Sequence, residues 1–362
     1  MIYLLSFMIV IGLPVFLHEL GHFLAARSVG IKVEKFYVGF NIFGMGIKKK
    51  YGETEYGIGL FPLGGYVKVA GILDESMDIN YDKKDYEFRS KGTMQKIWFL
   101  SAGVIMNFIL SSVVFSVFTF INGYAEIIDE PIINEVVEFI SDDQENSPAY
   151  LAGLQSGDRI VEINNINVNS WAELSSIIHN NPEKEIKINW LRNGFQYSER
   201  LVTKKIQSFK DNKVIDIGII GVSPNYNKID VGFFESIFMG CQQTYEWIDL
   251  MLSSLYALVS GSIALDQLSG PLGIANVAGE TAKEGGILAL IMLMGIISVN
   301  LGIINILPIP GLDGGHVFIA LIEGAMGREL PLKVKYGIQT FGFMLLMLLF
   351  VFVFYNDIKN LM

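Results

Sequence analysis

The sequence predicts a polytopic α-helical membrane protein of four transmembrane helices, with a membrane-associated β-hairpin region and one inserted polar domain. Three observations predict it. Of 362 residues, 51% are hydrophobic and only 18% charged, and the mean hydropathy is +0.42, too apolar for an ordinary soluble chain. Four stretches, Ile2 to Ala26, Ile97 to Ile121, Ile287 to Leu307 and Tyr336 to Tyr355, match or approach the about 20 apolar residues that cross a bilayer. Residues 122–286, between the second and third stretch, are too polar and too long to be a connector.

The first span, residues 1–27, ends in Phe16-Leu-His18-Glu19-Leu-Gly-His22. On a helix, positions four apart share a face, so His18 and His22 can aim two imidazoles at one metal ion. Glu19 then stands beside the open coordination position, where a carboxylate can take a proton from the attacking water. No charged residue precedes it between Ile2 and Leu17. Two histidines and a glutamate inside so apolar a helix are costly, and such residues usually face a cavity and serve a function. The competing reading is a polar patch at the helix end, in the interfacial layer. The span lacks a basic segment before its apolar run, so it reads as a retained helix and not as a signal peptide. Gly12 and Pro14 predict a kink one turn before His18.

Composition narrows the partners and the ligands. A net charge of −10 argues against nucleic acid, which calls for basic patches. The single cysteine, Cys241, excludes an internal disulfide and a cysteine-rich metal site. Any metal must be held by carboxylates and by the four histidines, His18, His22, His179 and His316.

Residues 28–93 form the first loop. Twelve of the chain's 27 Lys and Arg fall between residues 27 and 96, which marks that loop as cytoplasmic. Both termini then lie outside the cytoplasm, and the histidine pair lies toward the cytoplasmic side. Within the loop, residues 35–70 read as Gly-rich strands and turns. The run Tyr56-Gly-Ile-Gly-Leu-Phe-Pro-Leu-Gly-Gly-Tyr66 is too apolar for a free cytosolic loop, so the strands are expected to dip beside the helices. The alternative is a small soluble hairpin domain. Residues 74–91 are charged and read as a surface loop.

The second span, residues 94–122, contains Ser101-Ala102-Gly103 and Asn107. The small residues allow close helix packing, and Asn107 reads as a structural hydrogen-bonding residue. Residues 130–207 follow. Ser147 to Asn165 would form a short helix ending at glycine, a Gly157-Asp158 turn, a strand and a tight Asn164-Asn165 turn; a helix from Trp171 to His179 follows. This resembles a PDZ domain in the bacterial arrangement, a fold that takes a peptide as an added strand. His179 reads as a surface residue of its helix. Residues 208–286 hold a strand from Val214 to Val222, an amphipathic membrane-surface helix within Phe233 to Leu268, and a rigid turn at Ser269 to Ala275.

The third span, residues 287–310, runs into Asn305-Ile-Leu-Pro308-Ile-Pro310-Gly-Leu-Asp313-Gly-Gly-His316. The prolines break the helix, and Asp313 is presented from an irregular segment among helices, where a carboxylate needs a cation. It is the natural third ligand, leaving the fourth position open. His316 is the rival, assigned a supporting role because three protein ligands suffice. The fourth span occupies residues 334–356.

His18-Glu-Leu-Gly-His22, Pro62-Leu-Gly-Gly-Tyr-Val-Lys68, the PDZ-like stretch, Ser269-Gly-Pro271 and Asn305-x-x-Pro-x-Pro-x-Leu-Asp313-Gly-Gly together resemble the site-2 protease family, the bacterial RIP zinc metalloproteases of the RseP type. The resemblance spans essentially the whole chain. It implies one Zn2+ held by His18, His22 and Asp313, with Glu19 as general base. It implies that the Gly-rich strands form a membrane-reentrant element pairing with unwound substrate, through Gly57 and Gly59. Asn305 matches a family residue that contacts substrate backbone, and Pro308 and Pro310 complete the substrate-binding set. The implied substrates are single-span membrane proteins already trimmed by a site-1 protease, such as anti-sigma factors, and remnant signal peptides. A peptide or the substrate itself would meet the PDZ domain. The implied location is the bacterial inner (plasma) membrane, with the PDZ domain extracytoplasmic. Two departures stand out: a single PDZ-like domain where some relatives have two, and Val104 where relatives often carry proline. A transporter and a catalytically inactive PDZ receptor compete with this reading. A transporter would be expected to show internal repeats, and a dead receptor to have lost Glu19 or a ligand.

Overall fold

The computed structural model describes residues 1–40, 46–59, 61–71, 84–140, 145–210, 213–263 and 265–361. The chain divides into two compact units: Met1–Ile121 with Gly232–Leu252 and Ala264–Met362, and Asn122–Val231 with Ser253–Ile263.

The first unit opens with helix α1 (Ile2–Ser28), which runs through Pro14 as one element, although proline deletes a backbone hydrogen bond there. Four strands follow: β1 (Val33–Phe40), β2 (Gly46–Tyr51), β3 (Thr54–Gly59) and β4 (Phe61–Val69). They form one sheet in the order β2-β3-β1-β4. β1 lies parallel to β3 and antiparallel to β4, so β4 is an edge strand. The sheet packs along α1. Val33 and Val69 cluster with Ala26 near the helix end, and the Phe36 ring meets Phe23 at 5.3 Å and Phe16 at 6.2 Å. Further along β4, Gly65 lies against Val15 and Glu19. From Ala26 back to Val15 is about 16 Å of helix at 1.5 Å per residue. The sheet therefore descends along an apolar helix, where non-helical backbone is tolerated because protein covers it.

The expected surface loop at 74–91 falls largely on 72–83, outside the described residues. Its described remainder is not a free loop. Lys32 N donates to Tyr86 O and Phe88 N to Ala70 O, each within 3.0 Å, and Glu87 is buried, so this segment closes the end of the sheet. Helix α2 (Thr93–Asn122) follows. It crosses α1 closely, because a Cβ on Gly21 would collide with the Ala102 carbonyl.

The second unit is built from strands β5 (Tyr124–Ile127) and β6 (Ile133–Val136), helix α3 (Pro148–Leu151), strands β7 (Arg159–Ile163) and β8 (Ile166–Asn167), helix α4 (Trp171–His179), and strands β9 (Glu185–Arg192), β10 (Phe195–Val202), β11 (Lys204–Lys210), β12 (Lys213–Ile219), β13 (Val222–Pro224) and β14 (Tyr226–Ile229). Its main sheet has the order β10-β9-β7-β8. Asn164 and Asn165 adopt φ of 50° and 65°, the left-handed pair that joins β7 to β8 in a two-residue turn. Ile133, Ile160, Ile163, Ile186, Ile188 and Leu174 form its core. Asp158 is fully buried. Arg192 donates to both its carboxylate oxygens at 2.7 Å; removing Arg192 alone would strand that charge, at about 3–5 kcal/mol.

Residues 233–326 form four α-helices, two of which start where the sequence predicts a turn or irregular backbone. Helix α5 (Phe233–Val259) comes first. Its first half runs antiparallel along α2: Phe233 meets Phe120, Gly240 fits against Ser116, and the Ser112 hydroxyl donates to Thr244 Oγ1 at 3.1 Å. The expected turn at Ser269 to Ala275 instead starts helix α6 (Pro271–Glu284), with Pro271 in its first turn, where a missing N–H costs nothing. α6 packs beside α1, with Gly279 facing the Tyr3 ring. It leads directly into α7 (Gly286–Ile306). Asp313 also starts a helix, α8 (Asp313–Met326), and is not on irregular backbone. The chain ends with α9 (Leu332–Leu361).

α1, α2, α7 and α9 are long and apolar enough to cross a membrane. α9 is the least packed of them, with little of its span buried. Its outer end is fixed by Asp357, which accepts from Gly270 N at 2.8 Å and Leu272 N at 2.9 Å and so caps α6.

Candidate metal centre

Two local signals create the site. In α1 the four-residue spacing stacks His18 and His22 on one buried face. At the other end of the chain, Pro308 forces Leu307 into extended backbone (ψ 142°), and α7 stops. Gly311 turns the chain at φ 96°, and α8 restarts at Asp313. Gly314 and Gly315 allow this restart, because side chains there would strike the carbonyls of Ile306 and Ile309. Asp313 is thereby wedged from the start of α8 into the α1 histidines.

The result is a nearly equilateral triangle of ligand atoms. Asp313 Oδ2 lies 3.0 Å from His18 Nε2 and 3.2 Å from His22 Nε2, and the two imidazole nitrogens are 3.2 Å apart. An ion about 2.1 Å from three corners of a tetrahedron needs those corners about 3.4 Å apart, so the triangle fits a tetrahedral cation with one corner open. Two imidazoles and a carboxylate are a zinc donor set. Among the described residues these three form the one such cluster. Both histidines are buried, while the Asp313 side chain is 23% exposed.

Helix α2 forms the wall behind the imidazoles. His22 Nδ1 donates to Phe99 O at 2.9 Å. One turn later Gly103 presses on the rings, and a Cβ there would lie 2.6 Å from His18 Cε1 and 2.7 Å from His18 Nε2. One turn beyond, the Asn107 amide lies 3.1 Å from His18 Nδ1. Residues 99, 103 and 107 thus form one face of α2 turned to the site. From the sequence, Asn107 reads only as a structural hydrogen-bonding residue. The spacing by fours was visible, but nothing local said which helix it faced.

Glu19 sits beside β4, where a Cβ on Gly65 would be 2.8 Å from Glu19 Cγ. The other expected residues are placed less uniformly. Asn305 is half-buried in the last turn of α7, and its amide makes no hydrogen bond among the described residues. Pro308 and Pro310 form the break between α7 and α8. Gly57 and Gly59 lie on β3, an internal strand of the sheet. Gly57 is filled over by the Tyr37 ring, and its pairings with Tyr37 and Lys48 use its backbone on both sides. Among the described residues, the edge strand nearest Glu19 is β4. His316 lies one turn past Asp313, with both ring nitrogens 3.4 Å from the Gln339 amide and outside the ligand triangle. Burial pushes its pKa down, keeping it neutral.

Comparison with known proteins agrees with this geometry. The chain is 32% identical to the zinc metalloprotease RasP of Geobacillus kaustophilus, with 99% of this chain and 98% of that one covered. It is 29% identical to the regulator of sigma-W protease RasP of Bacillus subtilis, with 99% and 98% covered. The Bacillus licheniformis zinc metalloprotease RasP is also 29% identical, with 99% of each chain covered. The sequence signature of peptidase family M50 matches residues 6–349. With that match over nearly its whole length, and a zinc donor set assembled between its first span and Asp313, the chain belongs to peptidase family M50, as a zinc-dependent membrane protease of the site-2 type.

Proposed function

We propose that the protein cleaves single-span membrane proteins within the bilayer, the second cut of regulated intramembrane proteolysis. The observation that carries this reading is the position of the ligand triangle. His18, His22 and Asp313 meet inside a cage of apolar helices, and an open strand edge runs past Glu19. A soluble protease has no use for that setting, whereas a substrate inside the bilayer needs it.

In this reading His18, His22 and Asp313 hold the zinc. Zinc, if bound there, would supply Lewis-acid polarisation of a carbonyl and lower the pKa of water. Glu19 would take the proton from the attacking water and pass it to the leaving amine. β4 contributes the strand edge. A peptide bond within a helix is shielded by its own hydrogen bonds, so the substrate must unwind, and β4 can pair with it once extended. Asn305, with an uncommitted amide, bonds the exposed backbone from the α7 side, where Pro308 and Pro310 keep the chain open. The second unit is a PDZ domain that limits access to substrates already trimmed by a site-1 protease. Anti-sigma factors and remnant signal peptides are the substrate classes, consistent with the sigma-W name of the Bacillus subtilis relative. The basic loop 28–93 is cytoplasmic and the PDZ domain extracytoplasmic, in a bacterial inner membrane. The zinc-ligand set and Glu19 count against an inactive receptor, and the family match against a transporter.

The test is cleavage of a reporter with one transmembrane span by purified protein in bilayers. Glu19→Gln should keep bound zinc and bound substrate, but lose turnover by a factor on the order of a thousand. A Glu19→Gln protein that still cuts at the wild-type rate would exclude Glu19 as the base. Failure of the wild-type protein to cut any single-span reporter, trimmed or not, would exclude the substrate class.

A further inference from the structure

The Asn107 side chain is fully buried. Its amide nitrogen lies 3.1 Å from His18 Nδ1, while its oxygen, also buried, has no hydrogen-bond partner among the described residues. If the amide donates, His18 Nδ1 must be bare, and the ring's one proton sits on Nε2. Nε2 is the atom that faces Asp313 Oδ2 at 3.0 Å and His22 Nε2 at 3.2 Å. A protonated nitrogen has no lone pair to give a metal. The ligand triangle and a donating amide are therefore incompatible.

Rotating the carboxamide by half a turn exchanges oxygen and nitrogen, which have nearly the same shape. The oxygen then leaves a place where nothing donates to it and accepts from His18 Nδ1–H. The proton is fixed on Nδ1, and the Nε2 lone pair is free for the metal. We infer that Asn107 is a positioning residue that accepts from His18 Nδ1–H and fixes the tautomer in which His18 binds zinc.

The surrounding contacts support this assignment. His22 already has the matching arrangement, donating from Nδ1 to Phe99 O at 2.9 Å. α2 then serves both ligands alike, through a backbone carbonyl at 99 and a side-chain carbonyl at 107, two turns apart on one face. The backbone at Asn107 is held in turn. Its carbonyl accepts from Ser111 Oγ at 3.0 Å and from Ser298 Oγ of α7 at 2.9 Å. Ser111 Oγ also lies 2.8 Å from Gly295 O, so its one proton is shared between the two carbonyls. The amide is thus anchored to the span that leads to Asp313. Outer hydrogen bonds of this kind set ring orientation and ligand basicity, and losing one typically weakens metal binding about 10–100-fold.

The inference rests on the proposed ligand set, so the experiment separates the two. Zinc affinity of the full-length protein in detergent is measured by chelator competition for wild type, Asn107→Asp, Asn107→Leu and Asp313→Ala. Asn107→Leu, similar in volume but with no acceptor, should bind zinc about 10–100-fold more weakly. Asn107→Asp, which can only accept, should bind at least as tightly as wild type. Asp313→Ala should lose most of its zinc. If it does not, the ligand set is wrong. If it does, but Asn107→Leu binds like wild type or Asn107→Asp binds as weakly as Asn107→Leu, the role of Asn107 is wrong. Should Asn107→Leu fail to fold, histidine nitrogen NMR of the zinc-loaded wild-type protein decides: His18 should carry its proton on Nδ1, and a proton on Nε2 overturns the inference.

Discussion

At the scale of single residues, the centre depends as much on what is missing as on the ligands. Gly103 is the clearest case. Its hydrogen lies where any side chain would meet both imidazoles, with His18 Cε1 2.6 Å from a Cβ. Gly103→Ala should therefore tilt the rings or part α1 from α2. Overpacking of this kind costs about 1–3 kcal/mol, and because it acts on the ligands it should also weaken zinc binding by roughly tenfold or more. Chelator competition on a folded Gly103→Ala protein checks this, and unchanged affinity would mean the rings have room that the geometry denies. The grouping of His18, His22 and Asp313 was legible in the sequence. The two histidines stand at helical spacing, and Asp313 follows two prolines that end an apolar span. Asn107 was not legible as a neighbour of His18. The two are 89 residues apart, and an asparagine in an apolar helix looks the same whichever helix it faces.

At the scale of elements, strand order decides which backbone can serve a substrate. The Gly-rich composition of residues 35–70 announced strands, but could not say that β1 pairs parallel with β3 and leaves β4 at the edge. For that reason the place of Gly57 on the internal strand β3, between Tyr37 and Lys48, was not legible. Helix starts were misread in a related way. Pro271 and Asp313 look like interruptions in a linear reading, yet both open helices: proline fits the first turn, and a carboxylate suits the positive end of a helix dipole. The glycine that matters for the edge is Gly65, which brings β4 against Glu19 and the Tyr37 carbonyl, each 2.8 Å from a Cβ. Gly65→Val should push β4 away from α1 without touching the ligand triangle. Zinc content should stay at the wild-type level, and cleavage should fall on the order of 100-fold, as small misplacements near reacting groups do. Equal cleavage by Gly65→Val and wild type would show that the β4 edge is not used. A second element-scale expectation concerns the clasp between α9 and α6. Asp357→Ala leaves the Gly270 and Leu272 N–H groups without their carboxylate. It should cost about 1 kcal/mol or somewhat more, read as a lower thermal midpoint at unchanged zinc content.

At the scale of the whole molecule, the proposed orientation rests on the four spans and the uneven charge of the loops. Positive residues near span ends stay on the cytoplasmic side, and twelve of 27 Lys and Arg fall between residues 27 and 96. On the proposed orientation, four crossings return both termini to the outer side and put residues 122–231 on that side too. α5 does not alter the count. It is not among the helices apolar enough to cross, and its first half runs back along the C-terminal half of α2, from Phe120 to Ser112. An additional crossing there would invert everything after it and put Asp313 on the wrong side of the bilayer to meet His18, although the two are 3.0 Å apart. The orientation can be checked with the exposed Cys241 first replaced by serine. A membrane-impermeant thiol reagent added from outside should label Ser198→Cys, on an exposed strand of the second unit, and spare Asp85→Cys in the basic loop. Both should react once the membrane is permeabilised. Labelling of Asp85→Cys in intact cells, with Ser198→Cys protected, would invert the molecule and move the zinc centre to the outer side.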